Sequence, residues 1–591
     1  NSDFFTYLVL KEGTDYKAVE TKLPGISEKY MGPQMKEAIG MSFEEFTEEN
    51  EIGLFLQPLT SIHLHSDFSS SSEIEQGGDI KYIYIFSAVA FFMLFIACIN
   101  FMNLSTAAAS KRAKEIGIRK VLGSDKNQLI HQFLTESFLA TCIATLIALI
   151  IFVLALPMFN NLSGKELQMD YLLQPSLIIV LVLLILLISF LAGGYPAFFL
   201  SSFKPIAALK SKFSGDGKNK SIRSGLVVFQ FVVSAGLILA TLIVNQQMDF
   251  IQSKELGFNK EQMLVLRDSY LLGNDEDSFK NEILKDPRVA YATQSAFVPT
   301  GDSDNSMSGI FLGQQYQRRM FVYNVDDQYI PTMGMKVLSG RNFSKDFGAD
   351  STKVIINERA AEVLGFGNDA VGKVLLRDTN DGKKPLTVIG VVKDFHFKSL
   401  HQEIEPLIML NKPYGGLIIR AKVADMSGLI SRLNTFWVSY NNKEAFSYSI
   451  LDDSYNETYL AEQKMGSILK IFAILTIIVA CLGLFGLVTF TAEQRFKEIG
   501  IRKVLGSSVP QIVSLLSKDF LKLVLLSFLI AFPLGFYLMN KWLQDFAYRI
   551  EVSWKVFVIA ALITIIIAFL TIGFKSIQAA SANPIKSLRT E

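Results

Sequence analysis

Cysteine is scarce in this chain of 591 residues, and all three copies, Cys98, Cys142 and Cys481, fall inside apolar runs. The long polar stretches can therefore form no disulfide and must hold together by ordinary burial. There are five histidines. His63 and His65 read as neighbours on one face of a strand, and Asp394, His396 and His401 lie close in sequence. Neither grouping offers a cysteine or a clear third ligand, so exposed polar positions on half-buried strands account for both, and no metal is expected. No Gly-x-Ser-x-Gly elbow occurs, which leaves hydrolase chemistry unsupported. No Gly-x-x-x-x-Gly-Lys-Ser/Thr occurs either, so the sequence supplies no cradle for a nucleotide phosphate. The net charge is +1 and the basic residues are not pooled on one face or tail, so charge gives no sign of nucleic acid and none is expected as a partner.

Charged residues make up only 19% of the chain, against 50% apolar residues. They are sparse in seven runs of spanning length, roughly Ile83 to Leu104, Leu129 to Leu156, Leu177 to Tyr195, Leu226 to Val244, Ile468 to Phe490, Ile512 to Leu538 and Val556 to Phe574. Each can satisfy its backbone in lipid only as a helix. Lysine and arginine gather in the loop Lys111 to Lys126, in the linker Lys204 to Arg223, in the loop Arg495 to Lys503 and in the tail after Lys575, so these are expected in the cytoplasm. Alternation then places residues 1 to about 80 and about 247 to 465 outside. Apart from Lys522, the middles of the runs hold no Asp, Glu, Lys, Arg or His, which argues against a proton- or ion-coupled transporter and against a polar path through the membrane.

Lys-Glu-Ile-Gly-Ile-Arg-Lys-Val-Leu-Gly-Ser occurs twice, at Lys114–Ser124 and again at Lys497–Ser507, each time between two apolar runs. The chain is an internal duplication. Ile118, Val121 and Leu122 fall at i, i+3 and i+4, a narrow apolar stripe on a basic helix that Gly123 is placed to end. Asp125 with Gln128, and Ser508 with Gln511, have the spacing of a capping box that starts the next helix at once. A solvated basic loop would explain the charge but not the identity of eleven residues in order. Identity implies that both copies meet the same cytoplasmic partner surface. Glu136 and Asp519 correspond across the repeat, early in the following span. They either reach water or pair with a basic residue and fix the angle between short helix and span.

The outside stretch Gln247 to Lys464 alternates short β-rich runs with amphipathic helices, as an α+β domain does. Val354–Ile356 reads as a buried strand, Asn357 as an N-cap, Glu358–Leu364 as two helical turns and Gly365 as their stop. Leu386–Phe397 reads as a long strand with a hairpin partner before it, turning at Asn380-Asp381-Gly382. Tyr7–Leu23 matches Leu417–Leu433 in pattern, a strand leading to an Asp-capped helix, with Asp15 on Asp425. By this symmetry about 190 further residues, including one more span, are expected ahead of Asn1.

The chain resembles the permease subunits of MacB- and FtsX-type ABC transporters, the mechanotransmission class. The resemblance is carried by the two segments Arg112–Gly123 and Arg495–Gly506, by Pro205-Ile-Ala-Ala-Leu-Lys and Pro584-Ile-Lys-Ser-Leu-Arg, and by Gly340-Arg-Asn-Phe, Val354–Ala361 and Val388–Phe397. It implies a polytopic α-helical membrane protein of the bacterial inner membrane with α+β extracytoplasmic domains, seven spans present and eight expected in the full chain. The expected divisions are the C-terminal part of a first outside domain at 1–80, a three-span module at 81–200 with a coupling helix at 111–124, a basic linker at 201–223, a span at 224–246, a second outside domain at 247–465, a second three-span module at 466–575 with a coupling helix at 494–507, and a tail at 576–591.

The resemblance further implies that Lys114, Glu115, Gly117, Ile118, Arg119, Lys120, Leu122 and Gly123, with Lys497, Glu498, Gly500, Ile501, Arg502, Lys503, Leu505 and Gly506, form coupling helices. These would dock on two copies of a separate cytoplasmic ATPase, which would bind the ATP and Mg that this chain cannot. The bilayer and a periplasmic adaptor or substrate protein complete the expected partners. Export or extraction of an envelope substrate is the implied function. A regulator or sensor without transport is the alternative.

Overall fold

The computed structural model describes residues 6–39, 43–44, 54–65, 78–111, 118–201, 217–300, 306–313, 315–347, 350–379, 382–422, 425–440 and 443–581. It divides into a β-rich unit (residues 1–80, 253–460 and 546–548) and a helical unit (81–252, 461–545 and 549–591). In chain order, α1 (Tyr16–Glu20), α2 (Leu23–Ile39) and α3 (Leu59–His65) precede four long helices, α4 (Ile80–Lys111), α5 (Lys126–Ser163), α6 (Pro175–Ser201) and α7 (Gly217–Ser253). Next come β1 (Met263–Leu266), α8 (Glu276–Ile283), β2 (Val289–Gln294), β3 (Met307–Leu312), β4 (Gln315–Val325), α9 (Tyr329–Met333), β5 (Val337–Gly340), β6 (Lys353–Asn357) and α10 (Glu358–Val363). They are followed by β7 (Val374–Arg377), β8 (Lys384–Val392), β9 (Leu407–Asn411), β10 (Leu417–Ala421), α11 (Met426–Tyr440), β11 (Ser449–Ile450) and α12 (Leu451–Glu457). The chain ends with α13 (Leu460–Gln494), α14 (Phe496–Val504), α15 (Val509–Leu543) and α16 (Trp554–Ser581).

In the helical unit, α4, α5, α6, α7, α13, α15 and α16 are long and apolar enough to cross a membrane, and they coincide with the seven apolar runs. Their contacts rest on small residues that let helices approach closely. The Asn100 side chain of α4 lies over Gly483 of α13, where a Cβ would come within 1.9 Å of its Oδ1, and its Nδ2 donates to the Val479 carbonyl at 2.6 Å. Gly193 of α6 admits Ser137 of α5 in the same way. Helix α7 packs into the second half: Val227, Phe231 and Ala235 share a buried cluster with Phe520, Val524 and Phe528 of α15 and with Ala568 and Ile572 of α16.

The β-rich unit holds two sheets. A four-stranded antiparallel sheet, β11-β1-β10-β2, buries one face under α8 and α11, with Phe279 edge-on to Trp437 at 5.9 Å. Fully burying two rings of this size contributes about 2–3 kcal/mol each. The larger sheet runs β5-β8-β6-β9-β4-β3-β7, and β7 pairs with both β3 and β8, so six strands close on themselves around Ile356, Val388 and Leu410. Closure leaves fewer free edges to template aggregation. Asn357 caps α10 as its position predicts, accepting from the Ala360 amide at 3.0 Å, and Gly365 takes φ +69° at the helix end. The β7–β8 hairpin also forms, with Arg377 opposite Lys384 and Gly382 at φ +96°; Asn380 and Asp381 lie outside the described residues.

Three local expectations differ. His63 and His65 lie on helix α3, not on a strand: Pro58 precedes the first turn and its carbonyl accepts from the Ser61 amide and hydroxyl. Two residues apart on a helix is roughly 200° of rotation, so these side chains diverge instead of sharing a face. Strand β8 stops at Val392, short of Phe397. Phe395 and Phe397 leave the ladder to join a buried ring cluster around Tyr323, which removes more apolar surface from water than further pairing would. Asp15 and Asp425 do cap corresponding helices, accepting from the Lys17 and Gly428 amides, but residues 7–10 form no strand whereas Leu417–Ala421 is β10 between β1 and β2.

Candidate coupling surface

Both copies of the repeated segment end in the same backbone figure. Ser124 N–H donates to the Arg119 carbonyl at 3.0 Å and Gly123 N–H to Lys120 at 3.2 Å; Ser507 donates to Arg502 at 2.9 Å and Gly506 to Lys503 at 3.1 Å. These are the two bonds of a Schellman motif, and they require a left-handed residue, supplied by Gly123 at φ +98° and Gly506 at φ +91°. The next helix begins at once through the expected capping boxes, Asp125 with Gln128 and Ser508 with Gln511.

That turn presents an apolar stripe outward. Ile118, Val121 and Leu122 are 46%, 63% and 80% exposed, and Ile501, Val504 and Leu505 are 50%, 62% and 80% exposed. Near-equal exposure in the two copies means that, among the described residues, neither stripe is packed away. Three outward apolar side chains on a basic helix suit a protein surface better than water.

The second copy is anchored from behind. Ile499 is buried with Ala492 of α13 and with Ile512 and Leu516 of α15, and Gly500 is buried beside it. Ile499 lies off the predicted stripe; the sequence signal for it is the pair Ile512 and Leu516, one turn apart on the following helix. Arg502 pairs with Glu498 at 2.9 Å along the helix. Arg495 pairs with Asp519 at 3.3 Å, while the Asp519 side chain also stays half-exposed to solvent. Glu136 accepts from Gln132 at 3.1 Å, and Gln132 in turn accepts from Arg119 at 3.3 Å. Burial and the neighbouring Lys126 push the Lys120 ammonium below its usual range. Lys114, Glu115 and Gly117 lie outside the described residues, as does the side chain of Lys497; Lys503 is half-buried.

The grouping of Asp394, His396 and His401 serves packing. Asp394 accepts from the Arg359 amide at 3.0 Å, the His396 ring meets Tyr548 edge-on at 4.5 Å, and His401 stacks on Phe546 at 4.0 Å. Among the described residues no three His, Cys, Asp or Glu side chains converge as metal ligands.

Residues 87–205 and 470–584 match the family model described as FtsX-like permease C-terminal, and residues 231–443 match that of the MacB-like periplasmic core domain. The chain is similar to the macrolide export ATP-binding/permease protein MacB of Aggregatibacter actinomycetemcomitans, at 25% identity over 231 residues, covering 36% of this chain and 35% of that protein. It is also similar to the protein of that name from Neisseria gonorrhoeae (strain ATCC 700825 / FA 1090), at 22% over 333 residues, covering 53% and 50%. The chain thus spans half or less of the length of these relatives. The crystal structure of the periplasmic region of MacB from Actinobacillus actinomycetemcomitans aligns at 16% identity with a TM-score of 0.27, over 35% of this chain and 97% of that one.

Proposed function

We propose, for a chain that belongs to the MacB- and FtsX-type ABC transporter permeases, that it is the force-transmitting subunit of a complex whose ATP is hydrolysed by two copies of a separate ATPase. The observation that carries this reading is the pair of identical turns, each offering Ile, Val and Leu outward at matching exposure. One chain with two such turns offers two equal docking points. Helix α13 runs unbroken for 35 residues, about 52 Å, and is followed directly by α14. A rigid rod of that length carries displacement at one end to the other without a hinge in between. The substrate would be an envelope molecule moved by periplasmic domains, for export or extraction.

The test uses the chain in nanodiscs with a purified ABC ATPase that co-purifies with it from its own cells. Leu122→Glu combined with Leu505→Glu changes two exposed side chains and leaves insertion intact, yet abolishes the stimulation of ATP turnover by the permease. Stimulation that survives both changes refutes the docking role, and each single change is expected to leave a partial response.

A further inference from the structure

Helix α15 carries two lysines on a face that the rest of its length gives to lipid. Lys518, Lys522, Leu525 and Leu529 follow at intervals of four, three and four residues and are all exposed, so they form one stripe along the helix. The stripe is turned away from Phe520, Val524 and Phe528, which lie in the buried cluster with α7. The eighteen residues 523–540 hold no charged side chain. At helical rise they cover about 27 Å, close to the roughly 30 Å of a hydrocarbon core, so Lys522 stands at its edge and Lys518 one turn outside. That edge is the cytoplasmic one, because α15 follows the basic repeated turn. Cα–Cβ bonds tilt toward a helix's N-terminus, which aims both stems at that edge and lets each ammonium reach the headgroups.

Neighbouring cations are committed within the chain. Arg495 pairs with Asp519 and Arg502 with Glu498, while Arg223 and Lys575 lie over the Phe490 and Phe485 rings. Lys518 and Lys522 have no hydrogen bond or ion pair among the described residues. With the repeat's shift of 383 residues they stand where α5 has Thr135 and Leu139. The Thr135 hydroxyl donates to the His131 carbonyl at 2.8 Å, and Leu139 is exposed. The acid persists between the halves, as Glu136 and Asp519, but the lysines do not. A topological role does not account for the pair, since the first half is oriented without it.

We propose that Lys518 and Lys522 hold the phosphate of one anionic phospholipid of the cytoplasmic leaflet, its acyl chains along Leu525 and Leu529, and that the second half alone does so. Four residues of helix rise about 6 Å, so two ammonium groups converge on one phosphodiester. A zwitterionic lipid brings its own cation into the same space and gains less. Each lysine beside an anionic headgroup contributes roughly fivefold in affinity. The bound lipid stands beside the Arg495–Asp519 pair and so ties the joint of α13, α14 and α15 to the bilayer. The site does not depend on what docks on the repeated turns.

Leu525 and Cys142 are matching positions one turn deeper, so one label compares the halves. A fluorophore is attached at Leu525→Cys in a chain with Cys98, Cys142 and Cys481 changed to Ser, or at Cys142 with only Cys98 and Cys481 changed. The nanodiscs are phosphatidylcholine with a small fraction of lipid carrying a nitroxide high on one acyl chain. Spin-labelled phosphatidylglycerol is expected to quench position 525 at a mole fraction about tenfold lower than spin-labelled phosphatidylcholine, and the two to quench position 142 alike. Lys518→Gln with Lys522→Gln should bring 525 to the level of 142, and Lys518→Arg with Lys522→Arg should keep the preference. Thr135→Lys with Leu139→Lys should create it at 142. Equal quenching by both lipids at 525 overturns the proposal. A preference that survives both glutamines overturns it in favour of the charge of the whole cytoplasmic face. If the glutamines prevent folding, the lysine-bearing first half decides, and no gain at 142 overturns the proposal.

Discussion

Acidification should weaken the β-rich unit through one histidine. His396 is buried against Tyr548, its amide donates to the Leu256 carbonyl, and burial, with the nearby Lys254 charge, pulls its pKa from 6.5 to about 4. The folded state therefore holds a neutral ring where the unfolded chain would bind a proton. Below pH 6.5 the unfolded state gains protons that the folded state refuses, so stability falls with falling pH until about pH 4, where both states are protonated alike. At pH 5 the ratio of the two binding polynomials is roughly thirtyfold, or about 2 kcal/mol, rising to about 3 kcal/mol at pH 4. The burial-raised carboxyls of Glu276 and Asp394 act in the opposite direction. Comparison with His396→Asn cancels them. Pulse proteolysis of the chain in nanodiscs across a urea series, at pH 7 and pH 5, reads the stability of this unit. The variant will be less stable at pH 7, having lost its ring contact, but its loss between pH 7 and pH 5 should be about 2 kcal/mol smaller than that of the parent. Parallel losses in the two proteins refute the argument.

Three further outcomes follow from the same contacts. Asn357→Ala should cost about 3–4 kcal/mol in the urea assay, since buried Asn357 accepts from Ala360 and Leu407 amides and donates to the Glu405 carbonyl, leaving three backbone groups unsatisfied. Gly340→Ala should cost about 2–4 kcal/mol, because φ is +77° and a Cβ would lie 2.1 Å from the Ile389 carbonyl oxygen; a midpoint shift below that of a surface Gly→Ala control would contradict it. Ser344→Cys in intact cells should react with an impermeant maleimide, while Ser214→Cys should react only after permeabilisation, and the reverse pattern would invert the topology.

The features legible in the sequence are those set by local chemistry. Hydropathy located seven spans, the capping residues located where α5, α10 and α15 begin, and Gly123 and Gly506 located where the repeated helix stops. Features that depend on distant partners were not legible. Closure of the six strands needs β7 to meet β3, which no local pattern announces. Phe395 and Phe397 looked like the end of a strand because period-two alternation is the same whether a ring joins a ladder or a separate aromatic cluster. His63 and His65 misled for a related reason: a seven-residue helix is too short for its period to outweigh β-like composition. At the candidate coupling surface the stripe was readable, but its anchor Ile499 was not, because what buries it comes from the spans on either side.

The contact of Asn100 with Gly483 bears on the ancestry and wiring of the complex. The two residues occupy equivalent places in the repeat, so an ancestral pair of identical halves would have set like against like. Two asparagines would compete for one space and two glycines would leave a void, whereas one of each fills it. One of each therefore favours the pairing of unlike halves, which a single polypeptide supplies at one to one. The two halves, whose repeated segments are identical, are thus told apart at a single helix crossing, so that left and right of the molecule are not interchangeable.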